Sequence, residues 1–310
     1  MTYQEIIGQL GTIYEAGEAR AITRLLLEQR FGLSMADILC GKVNELSADD
    51  QQELQKIVRR LLRSEPIQYV LGETTFCGRS LHVAPGVLIP RPETEELCQW
   101  IINDYEHPPK AHHQHPSPIT QHPMPITQHP RILDIGTGSG CIAITLAAEI
   151  KDSRVTALDI SDAALEIARE NAVKAHVNVT FEKKDVLLKA AALAATESPL
   201  ATEEWDIIVS NPPYIYRKES ELMARNVLDY EPHEALFAPD DDPVAIYKAI
   251  GRYAAATLLP GGSLYLEMNP LLTEEVAAYL QEIGLGQVEM RHDQFGKLRM
   301  IKATKTNTTI

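Results

Sequence analysis

The second half of the chain, residues 131–310, alternates short apolar runs with amphipathic stretches, and this alternation constrains the fold more than any other feature. Strand-like runs fall at Arg131–Asp134, Arg154–Asp159, Val177–Glu182, Trp205–Val209, Ser263–Glu267, Val288–His292 and Leu298–Lys302. Between them, 139–150, 162–175, 243–258 and 271–283 carry helical spacing, with Pro243 opening the third. Near-continuous apolar strands separated by helices predict a parallel sheet covered on both faces, hence an α/β fold. Ligands of such sheets bind at the carboxyl ends of the strands, near the point where strand order reverses.

The rest of the chain has a different texture. Residues 1–75 predict a small helical bundle: Ile6, Leu10, Ile13 and Tyr14, then Ile22, Leu25 and Leu26, recur at helical spacing. Ser47 reads as an N-cap ahead of a stripe formed by Leu54, Ile57, Val58, Leu61 and Leu62. Residues 76–106 predict a hairpin connector and a linking helix. Short β-like pieces (Thr74–Phe76, Leu81–Val83, Val87–Ile89) are punctuated by Gly and Pro, and Pro92 then opens ETEELCQWIINDY. Residues 107–130 contain HPSPITQ followed at once by HPMPITQ, a seven-residue duplication. Six of the ten histidines and seven of the nineteen prolines lie there, so the histidine count of the chain reflects an inserted flexible loop rather than a metal centre.

Charge and cysteine content narrow the class of protein. The 29 Lys+Arg and 43 Asp+Glu leave a net charge of −14, which opposes a broad basic face for DNA or RNA. Cys40, Cys77, Cys98 and Cys141 include no C-x-x-C pair, so neither a disulfide framework nor a zinc site is expected, and a reducing cytoplasm fits. MTYQEIIGQL lacks the basic and apolar regions of a signal peptide, and no apolar run approaches the roughly 18 residues of a membrane span.

Three motifs carry chemistry. ILDIGTGSGCIAI (132–144) is a strand, the glycines Gly136, Gly138 and Gly140, then a helix. The spacing is G-x-G-x-G, without the G-x-G-x-x-G of dinucleotide binders or the G-K-[ST] of phosphate loops. Asp134 precedes the turn, where a carboxylate can face a cationic amine. The second strand ends at Asp159, suited to a ribose diol, and Asp185 follows the third, suited to an adenine amine. A ribose reader, an adenine reader and a glycine turn without phosphate grip describe S-adenosylmethionine better than a nicotinamide cofactor.

The third motif is Asn211-Pro212-Pro213-Tyr214, directly after WDIIVS. A degenerate [DNS]-P-P-[aromatic] arises by chance in about one chain of this length in fifty. Neither proline has an N–H, and each fixes its own φ and extends its predecessor, so the turn is rigid and rich in acceptors. The Asn211 side-chain oxygen and the Pro212 carbonyl can accept the two hydrogens of a planar –NH2 while Tyr214 stacks on its face.

EPIQYVLGETTFCGRSLHVAPGVLIPRPETEEL (65–97), ILDIGTGSGCIAI, ALDISDAALEIARENA (157–172), IIVSNPPYI (207–215) and YEPHEAL (230–236) resemble the HemK/PrmC protein-(glutamine-N5) methyltransferases over nearly the whole chain. That family methylates the glutamine of the Gly-Gly-Gln motif in class I peptide-chain release factors. The resemblance implies a doubly wound, seven-stranded Rossmann-like methyltransferase sheet over 131–310, and an N-terminal helical domain that recognises substrate. It implies S-adenosyl-L-methionine as cofactor, lined by Gly136, Thr137, Gly138, Ser139 and Gly140, with Asp159 on the ribose and Asp185, Val186 and Asn211 in further contact. Asn211, Pro212, Pro213 and Tyr214 would hold the substrate amide, with Asn211, Pro212 and Tyr214 catalytic, and Arg91–Glu95 would border the cofactor pocket. No metal, membrane or nucleic-acid partner is implied.

The sequence departs from the family pattern in the 107–130 insert, in LYLEMNP (264–270), where relatives usually have Gly and Gln nearby, and in PDDDP (239–243). The competing readings are a glutamine methyltransferase of a large-subunit ribosomal protein and, opposed by the −14 charge, an amino-group methyltransferase of nucleic acid. A non-enzymatic scaffold would require a degraded glycine turn or NPPY, and both are intact.

Overall fold

A computed structural model describes residues 1–107, 129–195, 203–239 and 241–306, so the expected flexible insert at 107–130 lies outside the described residues except at its ends. The chain divides into two compact units.

The first unit comprises Met1–Thr74, Val83–Pro85 and Leu222–Glu231. Its first segment carries the helices α1 (Tyr3–Leu10), α2 (Ala16–Phe31), α3 (Met35–Leu39), α4 (Ala48–Leu61) and α5 (Ile67–Leu71). Side chains cap their starts: Thr2 and Glu5 form a capping box on α1, Ser34 and Asp37 another on α3, and Ser47 accepts from the Asp50 N–H on α4. Glycines in left-handed conformation, Gly32 and Gly72, end α2 and α5. The apolar stripes meet in one core that includes Ile6, Leu10, Leu26, Leu54, Val58 and Leu61. Tyr14 ties the turn between α1 and α2 to α4 by donating to the Leu61 carbonyl at 2.9 Å. The later segment joins through Tyr230, whose hydroxyl donates to the Arg63 carbonyl at 2.8 Å.

The second unit comprises Thr75–His82, Gly86–Glu221 and Pro232–Ile310. A two-stranded sheet of β1 (Glu73–Phe76) and β2 (Arg79–His82) leads towards α6 (Pro92–Glu106). Val87–Ile89, expected as a third β-like piece, forms no strand. Pro85, Pro90 and Pro92 bracket it and remove ladder donors on both sides. Its apolar side chains Val87 and Ile89 are nevertheless buried.

The main sheet contains β3 (Arg131–Ile135), β4 (Arg154–Asp159), β5 (Val179–Lys183), β6 (Trp205–Ser210), β7 (Leu258–Glu267), β8 (Leu285–His292) and β9 (Leu298–Lys305). Its spatial order is β5-β4-β3-β6-β7-β9-β8. β3, β4, β5, β6 and β7 are parallel, but β9 runs antiparallel to both β7 and β8. The sheet is therefore not wholly parallel as expected. Residues 293–297 are too short to carry a crossover and can only turn the chain back. Alternate residues of the strands fill two cores. Leu133, Ile135, Ile208, Leu264 and Leu266 pack with Tyr247, Ile250 and Leu280. Ile132, Val155, Ile207, Val209 and Tyr265 pack with Leu97, Trp100, Ile101, Ile142 and Leu146, so α6 belongs to this unit's core.

This strand order fixes where a site can form. The chain winds outward from β3 through β4 to β5, then returns to start β6 on the other side of β3. The order reverses between β3 and β6, at whose carboxyl ends Ile135 pairs with Ser210, and Ser210 pairs with Leu266 of β7. One residue further on stand Gly136, Asn211 and Glu267, side by side although far apart in sequence.

Candidate active site

The glycine turn closes β3 against β4 and opens α7 (Cys141–Glu149). Gly136, Gly138 and Gly140 have φ of 74°, 55° and 82°, the left-handed region that favours glycine. The Gly136 and Thr137 N–H groups both donate to the Leu158 carbonyl, at 2.8 and 2.9 Å, and Gly138 N–H donates to Asp159 Oδ2 at 2.9 Å. A Cβ at Gly140 would meet Ile144 and Ala168 at 3.0 and 3.1 Å, so the third glycine serves packing. At Gly136 or Gly138 it would meet nothing within 4 Å, so those positions border open space.

Asp134 lies beneath this turn and is fully buried. Its Oδ2 accepts from Thr137 Oγ1 at 2.6 Å and from the Ala143 N–H at 3.2 Å. Its Oδ1 is buried and has no hydrogen-bond partner among the described residues. Burial pushes the carboxyl up to about 7, against the pull of the Thr137 and Ala143 hydrogen bonds. A buried, unpartnered carboxylate oxygen beside a glycine turn is an acceptor awaiting a donor.

Sequence reasoning missed the residue that anchors this turn. Asn171, buried on α8 (Asp162–Lys174), donates through Nδ2 to the Ser139 carbonyl and to the His82 carbonyl, each at 2.9 Å. Its Oδ1 accepts from the His82 N–H at 2.6 Å. One amide thus pins β2 to the glycine turn, and only its place on the buried face of a helix could have signalled it.

Of the expected cofactor residues, Asp159 lies at the end of β4 with both oxygens turned to backbone donors, Oδ1 accepting from Ser161 N–H and Oδ2 from Gly138 N–H, each at 2.9 Å. A carboxylate has about four lone-pair sites, so acceptor capacity remains. Asp185 stands at the start of α9 (Val186–Ala195), where its Oδ1 accepts from the Leu187 N–H at 2.7 Å. The Val186 side chain is buried in the same core cluster as Leu133, Ile135 and Leu158. The structure thus brings the glycines, Asp134 and Asp159 together, and sets the Val186 side chain into the core.

The NPPY turn follows β6. Ser210 is buried and donates to the Ile135 carbonyl at 2.7 Å, locking the ends of β6 and β3 together. Pro212 is buried, whereas Asn211, Pro213 and Tyr214 are half-buried. Asn211 Nδ2 donates to Thr94 Oγ1 at 3.1 Å, and Thr94 Oγ1 donates to Glu267 Oε2 at 2.6 Å. Tyr214 donates its hydroxyl proton to Glu267 Oε1 at 3.0 Å and accepts from Arg299 Nη1 at 3.0 Å. Arg299 is itself held by Asp293 Oδ2 at 2.9 Å, and its guanidinium carbon stands 5.7 Å from the Tyr214 ring centre. Asn269 Nδ2 supports the Tyr214 carbonyl at 3.0 Å.

Beyond the turn, Ile215 N–H donates to the Leu236 carbonyl and Ala238 N–H to the Ile215 carbonyl, which gives YEPHEAL a structural task. The backbone after NPPY is thereby pinned from both directions.

Glu267 is the electrostatic centre of this group. Burial pushes its carboxyl up; the Thr94 and Tyr214 hydroxyls and the Arg299 charge oppose that rise, and Glu93 adds to it. Burial, reinforced by Glu267, holds the Tyr214 phenol far above its usual range, so it stays protonated and donates. Thr94, Glu267, Asn269 and Arg299 were not among the expected site residues. Thr94 sits in the acidic first turn of α6, where a helix N-terminus accounts for the neighbouring acids. Glu267 offers one legible signal, an acid ending an apolar strand beside the strand that carries Asn211.

Among the described residues no group of His, Cys, Asp or Glu is arranged to hold a metal ion, and no helix is long and apolar enough to cross a membrane.

Known proteins match both parts of the chain. The family model "PrmC N-terminal domain" matches residues 4–72 and "Methyltransferase small domain" matches 119–236. A release factor glutamine methyltransferase of Bacteroides thetaiotaomicron is 41% identical over 296 residues, covering 96% of each chain. One of Flavobacterium psychrophilum is 37% identical over 300 residues, again covering 96% of each. Among solved structures, a Thermus thermophilus 16S rRNA methyltransferase shares the fold, with a TM-score of 0.50 and 20% identity over 75% of this chain and 49% of its own. Matched over 96% of its length at this level of identity, the chain belongs to the release factor glutamine methyltransferase family.

Proposed function

We propose that this chain transfers the methyl group of S-adenosyl-L-methionine to the side-chain amide nitrogen, N5, of the glutamine in the Gly-Gly-Gln motif of class I peptide-chain release factors. The observation that carries the reading is the adjacency of the glycine turn and Asn211, with the amide nitrogen of Asn211 committed to Thr94 and its oxygen left for a substrate.

The chain's residues fit the cofactor. The unpartnered Asp134 Oδ1 suits its ammonium group, and the space beside Gly136 and Gly138 admits a ligand where a side chain would intrude. Thr137, Ser139 and Gly140 complete that turn. Asp159 is assigned to the ribose hydroxyls and Asp185 to the adenine amine, with Val186 offering only backbone, since its side chain is in the core. The cofactor supplies an activated methyl on a sulfonium, so no strong base is required.

The protein's task is orientation. An amide nitrogen shares its lone pair with the carbonyl, a conjugation reflected in a rotation barrier of about 18–20 kcal/mol in peptides. Asn211 Oδ1 and the Pro212 carbonyl accept both substrate N–H groups and aim the nitrogen, and each such bond strengthens as positive charge develops. Pro212 and Pro213 keep the turn rigid, and Tyr214, anchored by its hydroxyl, packs against the planar amide. The nitrogen held by Asn211 and Pro212 would take the methyl of a bound sulfonium and would then release one proton to solvent. Binding energy is spent on in-line approach rather than on a base.

The helical unit is assigned to recognition of the release factor, and a translation factor as substrate assigns the reaction to the cytoplasm. Incubation with labelled cofactor and a release factor should label the wild-type factor but not its Gln→Ala variant. Equal labelling of both would defeat the glutamine assignment.

A further inference from the structure

We propose that Glu267, acting through Thr94, is the positioning residue that decides which way the Asn211 side-chain amide faces. This inference rests on the reading above, in which Asn211 Oδ1 accepts from the substrate amide.

An asparagine amide has two nearly isosteric ends, one accepting and one donating, and shape alone does not choose between them. Presented correctly, Oδ1 receives a substrate N–H. Presented backwards, the Asn211 –NH2 confronts the substrate –NH2, two donors face to face, and the nitrogen to be methylated is repelled from its position. Some neighbour must choose the sense, and Thr94 stands within hydrogen-bond distance of Asn211 Nδ2, at 3.1 Å.

A threonine hydroxyl does not choose by itself, because it both donates and accepts. It acquires a direction when its single proton is committed elsewhere. Here that proton goes to Glu267 Oε2 at 2.6 Å, inside the protein, where both residues are buried. Thr94 then offers Asn211 only lone pairs, so Asn211 must turn its –NH2 towards Thr94 and its oxygen outward. The other oxygen of the same carboxylate organises a parallel chain. Arg299 Nη1 donates to Tyr214 Oη, and Tyr214 Oη donates to Glu267 Oε1. Two series of hydrogen bonds therefore converge on one acceptor-only group, and each has its direction fixed by that group's ionisation. Arg299, itself held by Asp293, stands near enough to support the negative charge, Glu93 opposes it, and Tyr247 feels the same field.

Two substitutions break this relay in different ways. Replacing Glu267 with glutamine preserves shape but supplies an N–H2 that donates to Thr94 or Tyr214, so the chain can run backwards and Asn211 can reverse. Replacing Thr94 with valine preserves volume but cuts the connection. Serine at 94 keeps the hydroxyl and should keep the direction.

The test compares full-length wild type, Thr94→Val, Thr94→Ser, Glu267→Gln and the Thr94→Val/Glu267→Gln double variant. kcat and KM are measured for a release factor, dissociation constants for S-adenosylmethionine by calorimetry, and folding by thermal melts. Thr94→Val and Glu267→Gln should each lower kcat by about 10²-fold, the scale for removing one oriented polar partner. KM and cofactor affinity should stay within about threefold of wild type, and the double variant should be no worse than either single one. Thr94→Ser should recover kcat to within about threefold of wild type. Wild-type kcat in Thr94→Val, a loss in Thr94→Ser equal to that in Thr94→Val, or a parallel loss of cofactor affinity would overturn the inference. If Glu267→Gln does not fold, the valine and serine variants decide the matter between them. Failure of the wild-type enzyme to methylate any release factor would instead count against the proposed function.

Discussion

Replacing Asp134 with asparagine should make the ligand-free protein relatively more stable as pH rises. The Asp134 carboxyl lies near 3.8 in an unstructured chain and is pushed up to about 7 in the fold by burial. The folded state thus holds a proton that the unfolded state has released, and stability falls as pH rises through that window. Each unit is worth 1.36 kcal/mol, so the full interval costs about 4 kcal/mol above neutrality, and the portion between pH 5 and pH 8 costs about 3 kcal/mol. Asparagine keeps an oxygen for Thr137 and Ala143 but does not titrate, so the wild-type penalty is absent. Whatever fixed cost the substitution carries cancels when the two pH values are compared. Urea melts of both proteins at pH 5 and pH 8 measure the difference directly. The gap, variant minus wild type, should widen by about 3 kcal/mol towards pH 8. A gap independent of pH would refute the assignment of a raised Asp134 carboxyl, and with it the argument that this group is held ready for a cation.

Two further substitutions test the division of labour in the site. Asn211→Ala should lower kcat by about 10²-fold while calorimetry shows cofactor affinity near wild type, since its oxygen is reserved for the substrate. Gly138→Ala and Gly140→Ala should part company. Both place a side chain at positive φ, at a cost of about 1–3 kcal/mol, but Gly140→Ala also collides with Ile144 and Ala168 and should show the larger drop in melting temperature. Gly138→Ala instead projects into open space, so its loss of cofactor affinity should exceed its loss of stability.

The parts of the fold that local physics decides were legible in the sequence. Strand spacing anticipated the seven strands of the main sheet, because burial on both faces leaves an apolar signature in each, and helical spacing anticipated four of the helices between them but not α9. The reversal of β9 was not drawn from the same pattern, although the short 293–297 link demands it. Val87–Ile89 carries a β-like pattern without forming a strand, because its burial serves side-chain packing without any ladder. In the site, the glycine turn and NPPY were legible as motifs, since backbone constraint leaves glycines and prolines in fixed order. Thr94, Glu267 and Arg299 were not, because what matters about them is mutual distance. Thr94 and Glu267 are 173 positions apart in the chain and 2.6 Å apart in space. Only the pairing of β6 with β7, and the packing of α6 in the core they share, brings them to Asn211.

The central claim is that this chain places a methyl group on one side-chain amide nitrogen. Fragmentation mass spectrometry of a class I release factor, after incubation with the enzyme and isotopically labelled S-adenosylmethionine, tests it most directly. One labelled methyl on the side-chain amide of the Gly-Gly-Gln glutamine, formed about 10²-fold more slowly when Asn211→Ala replaces the wild-type enzyme, is the expected result. A methyl found on a backbone nitrogen, on another residue or on copurified RNA, with that glutamine unmodified, would contradict the account.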